Sequence, residues 1–452
     1  MTVQTTDSSL KPAGLSSASG DPKTSALWPF AGKFIFPSKL PLLLVLLGFL
    51  ELIPSAVFSQ EALKMSLASA EAAEARRKNS TTVGYYNLQL GQTYWRFSGA
   101  LGAEYDSNVT LRQNQAQSDY ILRPEIDINL LVPVSDQNSL NVAVGAGYSA
   151  YVMHSELRRY YITPNTEMSF DVYVGDFWIN LHDRISVSEN SYQDPTVAGD
   201  GGYSQLQNAA GVAVVWDLNK LVLHGGYDHV DYSTLSGGGG RPDGVSELVS
   251  ASAGCVLKPG LELGVELGGG ILNYGNASTN SSFSNATEWN GGGYGDLQLT
   301  EYTHLRVSAG YTQYLPETKP LLGGGQNFSG VYTTLDLNHR LNQYVNYTLS
   351  LGHNISFALA GGTVDMYFAE WKANWHIFKK TSLSTAFDYE HGSQISTSPE
   401  TFDRYGPAIN LGRSLTEKLD ATLGCQMYWR NSNLPGRDYS TYVISSNLRY
   451  RF

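Results

Sequence analysis

The sequence predicts an all-β protein: a transmembrane, antiparallel up-and-down β-barrel of about 18 strands (roughly 16–18), with short turns at one end and longer loops at the other. Three observations lead there. From residue 88 to residue 452, runs of alternating apolar and polar side chains recur, the period of two that marks a strand with one oily and one wet face. Short and long connections alternate between these runs. Mean hydropathy is −0.22, as expected of a wall whose lipid-facing and lumen-facing residues cancel in an average. The length of 452 residues would allow several domains, yet no linker or change of composition appears after residue 88, which favours one large domain.

Residues 1–59 read as a leader and signal peptide. Leu40–Phe58 is an apolar run interrupted by Glu51 and Pro54, preceded by Lys11, Lys23, Lys33 and Lys39, with cleavage expected near Ser59/Gln60. A single membrane anchor is the competing reading of so long a run. The stretch before Lys39 is long and Ser/Pro/Lys-rich, which suggests disorder or a misassigned start. Residues 60–87 begin Ala/Glu-rich and are expected to form a periplasmic tether, helical or disordered, leaving 88–452 for the barrel.

Short turns are expected at Ser135–Asn138, Gly175–Asp176, Leu218–Lys220, Lys258–Gly260, Glu301–Tyr302, Asn342–Gln343, Lys379–Lys380 and Glu417–Lys418. Longer Gly/Asn/Ser-rich loops include Asp106–Ser118, Asn190–Tyr203 and Ser432–Arg437. Parity is clear in single strands. Leu122, Ile126, Ile128, Leu130 and Val132 take one face, while Arg123, Glu125, Asp127 and Asn129 take the other. Tyr367, Ala369, Trp371, Ala373 and Trp375 likewise oppose Glu370, Lys372, Asn374 and His376. A two-sheet sandwich would also alternate, but charges lie deep inside the wet faces and no second layer is evident. Asp183 and His353 break the oily faces of their strands, which predicts a bulge or a shifted register there. Cys255 and Cys425 are both placed on the lipid side, far apart, so no disulfide is expected. Aromatic girdles are expected from Tyr105, Tyr120, Tyr151, Tyr160 and Tyr203 at the outer ends, and from Trp178, Trp216, Tyr302, Tyr344, Phe378 and Phe452 at the inner ends.

A barrel this wide leaves an aqueous channel unless it is plugged. Its pore-lining candidates are Arg96, Glu104, Arg123, Glu125, Asp127, Arg306, Glu370, Lys372, Arg404 and Arg449. Over the whole wet face, which also holds Glu167, Asp171, Glu262, Glu266, Asp296, Asp388 and Asp420 against His182, Arg184 and Arg451, acids outnumber bases, which favours cations weakly; ion pairs between neighbouring strands are the competing account of more than half of these charges. Inward Tyr94, Tyr173, Trp178, Tyr232, Tyr274, Tyr294 and Tyr428 could stack on sugars or merely fill space. Asn190–Tyr203 is the best candidate for a constriction loop. A net charge of −11 argues against nucleic acid as a partner. No phosphate loop, zinc motif or nucleophile elbow is present, so neither catalysis nor a cofactor or metal is expected. His229 or His353 could act as a base near the lipid, but no neighbouring residue in the sequence marks either.

The closing run Tyr439–Phe452 alternates to a terminal aromatic, with Tyr450 and Phe452 on the oily side, and looks like the assembly signal of bacterial outer-membrane barrels. Together with Ala103–Val109 (AEYDSNV), it resembles the β-barrel porin type-2 family of Gram-negative outer membranes over about residues 88–452. That resemblance implies a bacterial outer-membrane location, periplasmic turns and extracellular loops. It implies as partners outer-membrane lipid and lipopolysaccharide, the barrel-assembly machinery, and small hydrophilic solutes or saccharides. The expected function is a passive porin-like channel. The alternatives are an outer-membrane component of exopolysaccharide export and a non-transporting structural or surface-binding barrel. A homo-oligomer stays open, since no protruding interface stripe stands out.

Overall fold

The computed structural model describes residues 86–187, 191–236, 243–275, 284–317, 327–357, 363–395 and 399–452. The leader and signal peptide at 1–59 and all but the last two residues of the 60–87 tether lie outside the described residues. The strands are β1 (Leu88–Leu90), β2 (Thr93–Asp106), β3 (Asp119–Pro133), β4 (Ser139–Tyr151), β5 (Arg159–Ile162), β6 (Glu167–Val174), β7 (Phe177–Val187), β8 (Ser204–Asp217), β9 (Leu221–Ser236), β10 (Gly244–Lys258), β11 (Leu261–Tyr274), β12 (Ala286–Thr300), β13 (Thr303–Pro316), β14 (Phe328–Asn342), β15 (Val345–Phe357), β16 (Thr363–Phe378), β17 (Thr381–Ile395), β18 (Thr401–Ser414), β19 (Leu419–Ser432) and β20 (Tyr439–Arg451).

Apart from β5 and β6, which do not pair with each other, each strand pairs antiparallel with its sequence neighbours, and β20 returns to pair with β2 from Ser98↔Arg451 to Asp106↔Val443. The sheet therefore closes into a ring, the condition for spanning a bilayer with strands. The Phe452 N–H donates to Phe97 O at 3.2 Å just past the last pair, so the terminal aromatic helps to seal the seam. β5 and β6 both pair with β4, as two halves of one stave, and β1 is a three-residue hairpin on β2. The closed ring thus has the 18 staves that the alternation predicts. The break between β5 and β6 has a clear cause. Pro164 has no N–H to give, and the Thr166 hydroxyl takes the Gly145 N–H at 2.9 Å while donating to Gly145 O at 3.1 Å. A Cβ at Gly145 would lie 2.1 Å from the Thr163 hydroxyl, so this junction needs glycine.

The short-turn end repeats one device. β10–β11, β12–β13, β14–β15 and β16–β17 each turn in two residues and slip register by one residue just before the turn, at Val256/Lys258, Gln298/Thr300, Arg340/Asn342 and His376/Phe378. Such bulges sharpen twist at a barrel rim. The outward face is apolar, with Leu101, Ile126, Leu267 and Leu423 each more than half exposed. Cys255 and Cys425 are free.

Two expectations need correction. The register runs unbroken through Met168↔Asp183↔Ala210 and Thr333↔His353↔Tyr367, so neither polar residue marks a bulge. His353 is accommodated by a partner instead: its Nε2 lies 2.5 Å from Asp365 Oδ1. The girdles are exposed at Tyr120, Tyr160, Trp216, Tyr302, Tyr344, Phe378 and Phe452, whereas Tyr151, Tyr203 and Trp178 are buried. Parity explains Trp178: it shares the inward face of β7 with Asn180, and its indole N–H donates to inward Asp171 at 3.1 Å.

Candidate pore and constriction

The inner face is built by the same alternation. On β2 and β3, Glu104, Arg123, Glu125 and Asp127 share one side, because Leu101, Leu122 and Ile126 occupy the other. Most of these charges are paired across strands. Arg449 on β20 reaches over β2 to Asp127 (2.5 Å) and Glu125 (2.7 Å). Arg123 lies 3.3 Å from Glu104, and Arg306 on β13 sits between Asp296 (3.7 Å) and Glu266 (3.9 Å). Lys372 pairs with Glu370 on its own strand. Arg96 is exposed on the inward face of β2, near the short-turn end. Contact with water varies along the wall: Lys372 is 30% exposed and Arg449 is 42% exposed, whereas Arg123 and Glu104 are 11% and 10% exposed.

Arg404 behaves differently, and it leads to the most constrained part of the interior. It is buried, held by Glu390 through Nε (2.5 Å) and Nη2 (3.0 Å), while its Nη1 donates to Tyr192 O (2.8 Å) and Gln193 O (3.0 Å). Those carbonyls belong to the β7–β8 connection, whose own strands lie about a third of the ring away. Segment 191–203 therefore folds in from its strands and crosses the mouth to the far wall. Two further arginines hold it there. Arg430 donates from Nε to Pro195 O (3.0 Å) and from Nη2 to Glu400 (2.8 Å); Arg437 donates to Thr196 O (3.0 Å) and to Glu400 (2.8 Å). Burial pushes the Glu400 carboxyl up, but the Arg437 hydrogen bond and the Arg430 charge outweigh this and hold it below its ordinary value.

Apolar packing completes the attachment. Tyr192, Val197 and Tyr203 of the segment cluster with Leu111 from the β2–β3 loop and with inward Tyr428, Tyr439 and Val443. Backbone bonds from Gly199 N to Leu111 O (2.8 Å) and from Gly201 N to Thr110 O (3.2 Å) tie the two loops together. A Cβ on Gly201 would fall 1.5 Å from Val109 O, so the close approach requires glycine there. The sequence marks Asn190–Tyr203 as a constriction candidate but gives no sign of its clamps, Arg430, Arg437 and Glu400. A loop that keeps Tyr192, Val197 and Tyr203 among Gly and Asp is the available hint that it would be buried.

The model of the family described as "Putative beta-barrel porin 2" matches residues 93–452, which is the whole ring described above. The chain belongs to this family. It is thus a porin-like protein of the bacterial outer membrane, with its short turns periplasmic and its long loops outside. Among solved structures, the outer membrane protein OpdK of Pseudomonas aeruginosa is similar at 10% identity and a TM-score of 0.45, with 79% of this chain and 99% of that chain covered. OccAB3 of Acinetobacter baumannii aligns over the same shares at 11% identity and a TM-score of 0.45. No curated protein matches the sequence.

In this porin, inward aromatic rings lie flat on the wall because glycines make room for them. A Cβ on Gly147 would fall 2.2 Å from the Tyr161 ring, one on Gly264 2.5 Å from Tyr294, and one on Gly406 2.5 Å from Tyr428. The Tyr161 and Tyr294 hydroxyls then donate sideways to Glu125 (3.2 Å) and Glu262 (2.6 Å). This arrangement keeps large side chains out of the bore. It also closes off three of the seven sugar-stacking candidates. Trp178, Tyr294 and Tyr428 are buried, with the Arg306 and Arg404 guanidinium groups over the Tyr294 and Tyr428 rings at 4.6 and 4.7 Å. Tyr94, Tyr173, Tyr232 and Tyr274 are half-buried. Charge is uneven around the ring. Glu262, Glu266 and Asp296 on β11 and β12 face Arg306, whereas Arg96, Arg123, Arg449 and Arg451 accompany Glu104, Glu125 and Asp127 on the opposite side.

Proposed function

We propose that the chain is a passive channel for small hydrophilic solutes whose bore is set by the docked segment 191–203 and whose lining favours cations. The observation that carries this reading is a closed 18-stave ring in which inward Lys372 and Arg449 stay accessible beside an inserted segment. An interior packed for stability alone would bury such groups, at a high desolvation cost. The lining we assign is Arg96, Glu104, Arg123, Glu125, Asp127, Arg306, Glu370, Lys372 and Arg449, with Arg404 serving as a clamp for the segment. Facing charges of both signs set up a field across the bore; the wider inward face, which adds Glu167, Asp171, Glu262, Glu266, Asp296, Asp388 and Asp420 against Arg184, Arg404 and Arg451, holds more acids than bases and biases it toward cations. The Leu40–Phe58 run supports export by a signal peptide, and Tyr450 with Phe452 supports recognition by the assembly machinery.

Reversal potentials in planar bilayers under a salt gradient test this. Glu370→Ala should lower cation preference and Arg306→Ala should raise it. Unchanged potentials in both variants would remove these residues from the conducting path.

A further inference from the structure

On the lipid-facing wall of β13–β17, two rows of side chains lie one above the other. The lower row, read through the cross-strand pairs, is Val307, Leu335, Leu351, Ala369 and Tyr389; the upper row is Thr333, His353, Tyr367 and His391. Small Thr333 and Ala369 sit between larger neighbours, leaving a concave furrow of about 500 Å³ lined by the lower row and by His353 and Tyr367. The furrow is apolar below and polar above, at His353 and Tyr367, with His391 next to Tyr367 in the same row. His353 stacks on Tyr367 with ring centres 4.2 Å apart, and the Tyr367 ring lies 6.5 Å from His391. Each imidazole spends one nitrogen on a carboxylate of the next strand: His353 Nε2 lies 2.5 Å from Asp365, and His391 Nδ1 lies 2.9 Å from Asp403. His353 Nδ1 and His391 Nε2 have no hydrogen-bond partner among the described residues.

Ionisable groups on the lipid face of a barrel are unfavourable in a way that fades toward the interfaces. His353, Tyr367 and His391 each lie four residues from the loop-side end of their strands, about 13 Å along the strand at the usual rise. That is headgroup depth, where the exposed tyrosines also gather. With the loops outside, polar above apolar is the order of a lipid in the outer leaflet and the reverse of one in the inner leaflet.

We propose that this furrow binds one phosphorylated glycolipid of the outer leaflet, of the lipid A type. An acyl chain lies along the Leu335–Leu351–Ala369 row, and a phosphate accepts from His353 Nδ1, His391 Nε2 and the Tyr367 hydroxyl. The site depends on the barrel's orientation in the outer membrane and not on conduction, so it can fail while the channel reading stands, and the converse also holds.

The test uses the full chain purified in a non-ionic detergent, with bisphosphorylated lipid A as the probe and native mass spectrometry as the readout. Wild type should retain one lipid A. Retention should fall at least tenfold in His353→Ala/His391→Ala and in Ala369→Trp, which fills the furrow. It should persist in His229→Ala, which alters a comparable outward histidine on β9 paired with Glu247. If Ala369→Trp fails to assemble, the double histidine variant, changed at the surface alone, still decides. Equal retention of lipid A stripped of its phosphates would overturn the proposal. So would undiminished binding in the double histidine variant, equal loss in His229→Ala, or a dimer formed through this face in place of lipid.

Discussion

The attachment of segment 191–203 can be weakened without leaving a charge stranded, by the double substitution Arg404→Ala/Glu390→Ala. Arg404 alone would expose the buried Glu390 carboxylate to an unpaired existence, at a cost of about 3–5 kcal/mol that has nothing to do with the segment. Removing both partners leaves mainly the loss of the two bonds from Arg404 Nη1 to Tyr192 O and Gln193 O, at 2.8 and 3.0 Å. A charge-assisted bond contributes about 1.5–3 kcal/mol net, and these two share one nitrogen, so we take the low end and expect about 3 kcal/mol less docking energy. That is roughly a hundredfold shift toward the undocked segment. The Arg430 and Arg437 bonds remain, so the segment should leave intermittently. Single-channel recordings should show flicker to a higher conductance level that wild type seldom visits, from protein that still migrates as a folded barrel in unheated gels. Wild-type conductance and noise in a properly folded double variant would refute the view that this segment sets the bore.

Three further outcomes follow from the same geometry. Glu400 has its pKa lowered from an ordinary 4.5, so its contribution to the latch is complete above that value and is lost as the pH falls through the depressed one. Wild-type current should therefore gain a component in acid below pH 4.5 that Glu400→Gln lacks; identical pH profiles in the two proteins would contradict the assignment. Leu423→Arg places a charge on the lipid face of β19 and should destabilise the barrel by about 2–4 kcal/mol in equilibrium unfolding from bilayers if it lies near the midplane, whereas wild-type stability would put this residue on the wrong face. Gly147→Ala must lift the Tyr161 ring off the wall, because the new Cβ would sit 2.2 Å from it; we expect lower conductance and about 1–3 kcal/mol of lost stability, and neither change would mean the ring has room elsewhere.

Much of the fold was legible because a barrel writes its pattern on every strand. The two-residue periodicity gave the inward charges on β2, β3, β13, β16 and β20, and the short turns fall between the strands to within a residue or two. What periodicity cannot report is contact between positions far apart in the chain. Arg404 and Tyr192 are 212 residues apart, and Arg430 and Pro195 are 235 apart, so the latch was invisible even though its loop was noticed. Alternation also misled where a polar side chain on the oily face has a partner. At His353 it implied a bulge, whereas Asp365 on the next strand satisfies the ring with the register intact. Aromatics near strand ends were over-assigned to the girdle for a related reason. Placement along a strand says nothing of side: Tyr151 turns inward, and Trp178, counted both in the girdle and among the inward rings, is inward.

Water and ions should cross this ring past the docked segment, which planar-bilayer recording of the purified wild-type barrel reads without an intermediary. Discrete, sustained current steps with a reversal potential displaced toward cations are expected. Protein that inserts, shifts with heating as a folded barrel does, and yet passes no current would contradict this.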